Sequence, residues 1–237
     1  MLELTSVSRN FGKLAAISDV TFQIKENTIH GLIGPNGSGK TTMFNLISGF
    51  LRPSSGTIRL DGKLLNGKRP HQIAALGITR TFQLTSSYGE YSVLENVEIG
   101  HHLRRNIGEA AIRKSALEII DRMGIGEHRD TPAKILPAGT QRTLAIATAM
   151  ASTPKFLLLD EPLAGLHPTE KAKVASKIAD LKDSGITIFI VEHDVKSVFR
   201  ICSHITVINF GEMIANGTPD EVRTNRNVIE AYLGDGH

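Results

Sequence analysis

The sequence is poor in several features that mark particular classes of protein. Its 237 residues include a single cysteine, Cys202, which excludes an internal disulfide and suits a reducing compartment. No apolar run approaches the roughly 18 residues that a membrane-spanning helix needs. The first residues also have no apolar stretch of the kind found in secretory signals. We therefore expect a soluble intracellular protein.

Aromatic residues and excess charge are also scarce. There is no tryptophan, and aromatic residues make up 5% of the chain. The 27 basic residues are nearly balanced by 24 acidic ones, which gives a net charge of +3. A basic stripe interleaved with aromatic residues, as in nucleic-acid-binding proteins, is missing, so we expect no nucleic-acid partner. The 41% of apolar residues is typical of a globular domain.

Alternating strand and helix patterns are present instead. LELTSV and VTFQI alternate polar and apolar residues near the N-terminus, which predicts an antiparallel layer. IHGLIG, KFLLLD and ITIFIV are nearly continuous apolar runs, which predicts buried parallel strands. ITVIN and EMIAN predict a hairpin near the C-terminus. The helix predicted over 168–182 would bury Ala172, Ala175, Ile178, Ala179 and Leu181.

Helical patterns dominate a segment in the middle of the chain. Ser92 and Glu95 match a capping box, which predicts a helix start. A second amphipathic helix ends at Gly124, and a third begins at Pro137 and stops before Pro154. We predict a single domain over residues 1–237, with a core of 1–83 and 155–237 and a helical subdomain of about 84–154.

Residues 34–41, GPNGSGKT, match the phosphate-binding pattern G-x-x-x-x-G-K-[ST] between a strand and a helix. Glycines let backbone N–H groups surround phosphates, and the N-terminus of the helix attracts negative charge. The lysine neutralises phosphate charge, and the threonine hydroxyl binds Mg²⁺. The expected phosphate-binding residues are Gly34, Pro35, Asn36, Gly37, Ser38, Gly39, Lys40, Thr41 and Thr42. The fold class is therefore α/β: a P-loop NTPase core with a mixed, mainly parallel sheet, an antiparallel β layer and an inserted helical lobe.

Two acidic residues follow the strand FLLL. Asp160 lies at the tip of a buried strand, where a carboxylate that organises Mg²⁺ is needed. Glu161 is placed to polarise an attacking water. Taken alone, the pair is also compatible with an ordinary acidic loop.

Together these motifs resemble the nucleotide-binding subunits of ATP-binding-cassette (ABC) transporters, over essentially the whole chain. Phe82-Gln83 is similar to the Q-loop of that family, LPAGTQR over 136–142 to its signature, AGLH over 164–167 to its D-loop, and Glu192-His193 to its switch histidine. LIGPNGSGKTTMFNLISGFLRPSSGTI, GITRTFQ, SVLENV, DEPLAGLHP, VEHD and VIEAYLG resemble the branched-chain amino-acid uptake subfamily. Urea or amide uptake ATPases and lipopolysaccharide-export ATPases share many of these sequence motifs.

The resemblance implies an Mg²⁺-dependent ATPase with ATP and Mg²⁺ as cofactors. It implies catalytic roles for Glu161, His193 and Gln83, and it implies that Thr41, Asp160 and Gln83 hold the metal. Phe11 would stack on adenine, although phenylalanine is also a routine core residue. Gly139 would offer its N–H to the nucleotide bound on an opposing subunit.

The resemblance also implies partners and a location. They are two transmembrane permease subunits, a second ATPase subunit in a homodimer or heterodimer, and, indirectly, a periplasmic or extracellular solute-binding protein. The chain would lie peripherally on the cytoplasmic side of the inner membrane.

The signature departs from the family pattern. Pro137 replaces its serine and Thr140 its glutamine, and His167 stands in the D-loop where Asp or Asn is usual. One interpretation is drift within the subfamily. The other is asymmetry, in which this weak signature completes only one of two unlike ATP sites.

Two other classes remain open. A soluble ABC ATPase acting in DNA repair or on ribosomes usually carries a coiled-coil insertion or two cassettes, and neither pattern is present. A regulatory nucleotide-binding protein without turnover is disfavoured by the intact Asp160, Glu161 and His193.

Overall fold

The structure is a computed structural model that describes residues 1–81, 88–103 and 107–233, without the side chains of Leu103 and Leu233. The described residues form ten strands and nine α-helices. In chain order the strands are β1 (Leu2–Phe11), β2 (Leu14–Ile24), β3 (Ile29–Ile33), β4 (Ser55–Leu60), β5 (Lys63–Leu64), β6 (Ile78–Arg80), β7 (Phe156–Asp160), β8 (Thr187–Val191), β9 (His204–Asn209) and β10 (Glu212–Gly217). The helices are α1 (Lys40–Ile47), α2 (Pro70–Ala75), α3 (Val93–Ile99), α4 (Glu109–Met123), α5 (Ala138–Met150), α6 (Pro168–Asp183), α7 (Val195–Ile201), α8 (Pro219–Thr224) and α9 (Arg226–Leu233).

Six strands form the central sheet, in the order β10-β9-β3-β8-β7-β6. Neighbours from β9 to β6 are parallel, and β10 is antiparallel to β9. Every residue of β3, β7 and β8 is buried, which explains their continuous apolar sequences. The expected mixed, mainly parallel sheet is confirmed. Its parallel strands place their carboxyl ends at one edge, where ligands bind in such sheets.

The predicted antiparallel layer is a second sheet, in the order β2-β1-β4-β5. Leu2 pairs with Ile24 and Leu4 with Phe22, so the alternating apolar residues share one buried face. Between β4 and β5 the chain reverses at Asp61-Gly62, where both residues have positive φ. These strands and the C-terminal hairpin of β9 and β10 confirm the alternation and turn signals.

Two buried clusters join the layers. One packs the four-stranded sheet and α1 against one face of the central sheet, with Phe44 stacked on Phe189. The other covers the opposite face with residues of α3 to α7. Helices α3, α4 and α5 pack against one another and lie between β6 and β7 in the chain, as the helical lobe of the expected fold class. The subdomain limits at 84 and 154 stay a prediction, and residue 84 lies outside the described residues.

Some local predictions need correction. The buried face of α6 is formed by Val174, Ile178 and Leu181, whereas Ala172 is exposed. Ala172 lies two residues before Val174 and therefore roughly 200° around the helix from it. Strand β6 ends at Arg80, and Phe82 and Gln83 lie outside the described residues. Along the described parts of the chain, no helix combines the length and the apolar character that crossing a membrane requires.

Candidate functional site

The loop between β3 and α1 holds the phosphate-binding pattern in a tightly packed turn. A Cβ atom at Gly34 would lie 2.0 Å from the carbonyl oxygen of Ile208, so only glycine fits there. Gly37 and Gly39 have φ of 78° and 108°, which side chains disfavour. The sequence therefore places glycine where the backbone must turn, directly before the N-terminus of α1.

Lys40 and Ser38 supply donors inside this loop. The Lys40 Nζ donates to the carbonyl oxygens of Gly34 and Pro35 at 2.7 and 2.9 Å. Burial lowers the pKa of Lys40, and the nearby Glu161 carboxylate opposes that shift. The buried Ser38 hydroxyl has no hydrogen-bond partner among the described residues. Because an unpaired buried donor is costly, these groups fit an anion such as a phosphate.

A cavity of about 600 Å³ opens over the loop. Its lining includes Asn36 to Thr42, His193, Phe11 and Phe210. Phe11 is 43% exposed, and the Arg9 guanidinium lies 4.6 Å from its ring centroid. The structure thus brings the predicted Phe11 to the phosphate loop. Phe210, 85% exposed in the β9–β10 turn, was not predicted, although an apolar residue in a hairpin turn is a usable signal.

Asp160 ends β7, and its Oδ2 accepts from the Arg80 Nη2 at 2.7 Å. Arg80 also donates to the Asn45 Oδ1 at 2.6 Å, which links β6 to α1. Sequence reasoning did not identify Arg80. Within the described residues, no group of three or more His, Cys, Asp or Glu side chains could hold a metal. Mg²⁺ in such sites takes one or two protein oxygens together with phosphates, and Thr41 and Asp160 fit that donor set.

Glu161 and His193 contact each other at the ends of β7 and β8. The His193 Nε2 lies 2.5 Å from the Glu161 Oε1. Glu161 has φ of 49°, a left-handed conformation that non-glycine residues rarely adopt, and its N–H donates to the carbonyl oxygen of Val191. Strained residues of this kind cluster at functional sites. The structure therefore joins two of the three predicted catalytic residues, and the third, Gln83, lies outside the described residues.

Glu192 precedes His193 in the chain, and its side chain is buried. Its Oε1 accepts from the Leu163 N–H at 2.6 Å, in the segment that leads to α6. Burial is the main cause that raises the pKa of Glu192 to about 7, and the carboxylates of Glu161 and Asp194 add to it. Glu192 thus ties the loop after β8 to the loop after β7.

The signature segment does not line the cavity over the phosphate loop. Pro137 is the N-cap of α5 and Gly139 is its second residue, and both line a separate cavity of about 480 Å³. The Gly139 N–H, expected to be offered to an opposing nucleotide, donates here to the Glu170 Oε1 at 3.1 Å. His167 precedes α6, and its N–H donates to the other carboxylate oxygen of Glu170, Oε2. Gly139 is therefore separate from the other predicted binding residues within one chain.

The fold and the loop define a P-loop nucleotide-binding domain. The profile of the ABC transporter family matches residues 17–164, and that of the branched-chain amino acid ATP-binding cassette transporter matches residues 212–237. The chain belongs to the ABC transporter family. Membership makes it an ATP-binding, ATP-hydrolysing cassette.

Curated relatives match along the whole chain. The high-affinity branched-chain amino acid transport ATP-binding protein LivG of Salmonella typhimurium is 40% identical, covering 99% of this chain and 98% of the relative. BraF of Pseudomonas aeruginosa, with the same description, is 38% identical over the same shares. The lipopolysaccharide export system ATP-binding protein LptB of Haemophilus influenzae is 33% identical, again covering 99% and 98%.

Solved structures share the fold. The ADP conformation of MJ1267, an ATP-binding cassette of an ABC transporter, has a TM-score of 0.91 and 29% identity, covering 99% of both chains. A nucleotide-free ATP-binding cassette from an ABC transporter has a TM-score of 0.90 and 28% identity, with the same coverage. The expected fold class and family are confirmed.

Proposed function

We propose that this chain is the Mg²⁺-dependent ATPase subunit that powers uptake of branched-chain or related amino acids through separate permease subunits. The observation that carries the proposal is the 40% identity, along 99% of the chain, to a branched-chain amino acid transport ATP-binding protein. The separate match of residues 212–237 to a branched-chain profile supports the same class of solute.

Nucleotide binding follows from the cavity over the phosphate loop. The phosphates lie against residues 34–42, where Lys40 exchanges its contacts with loop carbonyls for phosphate oxygens. Phe11 lines the same cavity and offers an exposed ring for the adenine. Mg²⁺, when bound, neutralises charge on the phosphate oxygens, and Thr41, Asp160 and Gln83 are the residues that would hold it.

Hydrolysis uses the pair at the ends of β7 and β8. Glu161 accepts a proton from water while the water oxygen attacks the γ-phosphorus, and the bond to the bridging oxygen of ADP breaks. His193 contacts the γ-phosphate and fixes Glu161, as their contact in this structure supports. Gln83 reports the state of the nucleotide to the helical lobe.

The transport cycle needs a second cassette. ATP closes two cassettes face to face, and each nucleotide lies between the phosphate loop of one and the signature of the other. Hydrolysis reopens them, and the motion passes to two transmembrane permease subunits. A periplasmic or extracellular solute-binding protein selects the solute. The chain acts peripherally at the cytoplasmic side of the inner membrane.

One arrangement we propose, with a homodimer as the alternative, is a heterodimer with an unlike ATPase subunit, because Pro137 and Thr140 replace the serine and glutamine of the family signature. This chain would then supply Glu161 and His193 to one site and a weak signature to the other. Glu161→Gln should abolish more hydrolysis than the matching change in the partner subunit. Equal losses in the two variants would contradict the asymmetry.

The test combines turnover with identification of partners. The tagged chain is recovered from gently solubilised membranes of its native cells, and the co-purifying proteins are identified. We expect two multi-span proteins, a second cassette, and ATP turnover that stops on chelation of Mg²⁺ or with Glu161→Gln. Recovery from the soluble fraction alone, or with nucleic acid, would favour a non-transport ATPase.

The 33% identity to LptB makes lipopolysaccharide export a second candidate. Urea or amide uptake is a further alternative of the same architecture. Binding of labelled leucine by a co-purifying solute-binding protein would support the proposed uptake. Permeases that stimulate turnover only with lipopolysaccharide would support export.

A further inference from the structure

Helix α5 begins without a cap of its own. A helix starts with four N–H groups that have no partner within it. Ser, Thr, Asp or Asn at the N-cap normally accept from the second or third of these groups. Here the N-cap is Pro137, and no side-chain cap bond is formed from it. The signature segment therefore needs another acceptor for its first turn.

Glu170 of α6 supplies that acceptor. Its Oε1 accepts from the N–H of Gly139, the second residue of α5, at 3.1 Å. Its Oε2 accepts from the N–H of His167, the N-cap of α6, at 3.2 Å. One carboxylate thus closes the N-termini of two helices, where negative charge is favoured.

The contact is packed as well as hydrogen-bonded. A Cβ atom at Gly139 would lie 3.0 Å from the Glu170 Oε1 and 3.1 Å from the Glu170 Cβ. A second hydrogen bond joins the same two segments, from the Arg142 Nη2 to the carbonyl oxygen of Ala164 at 3.4 Å. The start of α5 is therefore attached twice to the segment 164–170.

We infer that Glu170 is a positioning residue for ATP hydrolysis, which replaces the cap that Pro137 cannot give and holds the signature against the D-loop. The two segments then face the opposing cassette as one unit. The inference rests on the proposed function, since it requires a site completed by a second cassette. Glu170 does not line the cavity over its own phosphate loop, so its loss should leave nucleotide binding by a single cassette in place and lower the turnover of the closed pair.

The test measures kcat and KM for MgATP in the full complex recovered with its membrane partners. Glu170→Ala should lower kcat about fivefold, the effect of losing one helix cap, with KM changed less than about twofold. Glu170→Gln keeps one acceptor oxygen and should fall between wild type and Glu170→Ala. In a Pro137→Ser background the serine hydroxyl can cap α5. There, Glu170→Ala should lower kcat less than about twofold.

Glu221→Ala is the matched control, because Glu221 is also the third residue of a helix with a capping box, in α8. It should lower Tm without changing kcat. Four results would overturn the inference: a kcat for Glu170→Ala that is unchanged, a kcat that is higher, a loss confined to KM, or an equal loss in the Pro137→Ser background. If Glu170→Ala does not fold, Glu170→Gln with and without Pro137→Ser gives the same comparison. Wild type without MgATP turnover would reject the proposed function itself, whereas normal turnover that is insensitive to Glu170 would reject this inference alone.

Discussion

Glu192 is a buried carboxyl whose charge is poorly accommodated, and this makes the stability of the fold depend on pH. Its side chain is 1% exposed, and its pKa is raised from 4.5 to about 7, mainly by burial. Below pH 4.5 both the folded and the unfolded chain hold this proton. As the pH rises, the unfolded chain releases it first, while the folded chain keeps it up to about pH 7.

The sign and size of the effect follow from these values. Because the folded pKa is the higher one, stability is lost as pH rises. Each pKa unit corresponds to about 1.4 kcal/mol. Glu192 should therefore reduce the free energy of unfolding by roughly 2–3 kcal/mol between about pH 5 and pH 8.

Glu192→Gln removes the titration and retains an amide oxygen that can accept from the Leu163 N–H. The free energy of unfolding in urea is measured for both proteins at several pH values. The difference between them should grow with pH, with the variant more stable above neutral pH. Glu118→Gln, at an exposed position of α4, is the control and should track wild type. Parallel curves for wild type and Glu192→Gln would refute the reasoning.

Three further substitutions test the site. Phe11→Ala should weaken nucleotide binding about fivefold in a fluorescence titration, through loss of an aromatic face, and unchanged affinity with an intact fold would contradict adenine stacking. Arg80→Met leaves the Asp160 charge buried without its 2.7 Å ion pair. It should cost roughly 3–5 kcal/mol of unfolding free energy in urea, whereas a cost below about 1 kcal/mol would contradict the pair's role. Gly34→Ala places a Cβ atom 2.0 Å from the Ile208 carbonyl oxygen. It should abolish MgATP binding as measured by calorimetry. Retained binding would show that β9 can shift to accommodate the Cβ atom, and it would contradict the requirement for glycine at this position.

Much of the fold was predictable because its signals are local. Strands β3, β7 and β8 are buried on both faces, so their sequences are continuously apolar. The capping box at Ser92 and the left-handed C-cap at Gly124 mark helix ends through contacts within one turn. Helices α2 and α7, of six and seven residues, were not predicted, because so few turns give no clear periodicity.

The phosphate loop was predictable for the same reason, since its residues are contiguous. Three other participants were not, because their partners are distant in sequence. Arg80 lies 80 residues from Asp160, Glu192 lies 29 from Leu163, and Glu170 lies 31 from Gly139. A charged residue in a sequence indicates little until the fold supplies its partner. The resemblance to a family identified Glu161 and His193 by their order, but it could not give their distance.

The contact between Glu161 and His193 follows from strand register. β7 and β8 are adjacent and parallel, with Asp160 paired to Val191. The two strands therefore end side by side at the same edge of the sheet. The Glu161 N–H then donates to the Val191 carbonyl oxygen. This contact helps to maintain the positive φ of Glu161, a conformation that costs of order 1–3 kcal/mol. This backbone sets the carboxylate against the residue that follows Glu192, which is His193. The proposed base and its histidine are thus arranged by the register of two adjacent strands. ATP need only bring phosphate and water to a geometry that is already formed, which is the condition for preorganised catalysis.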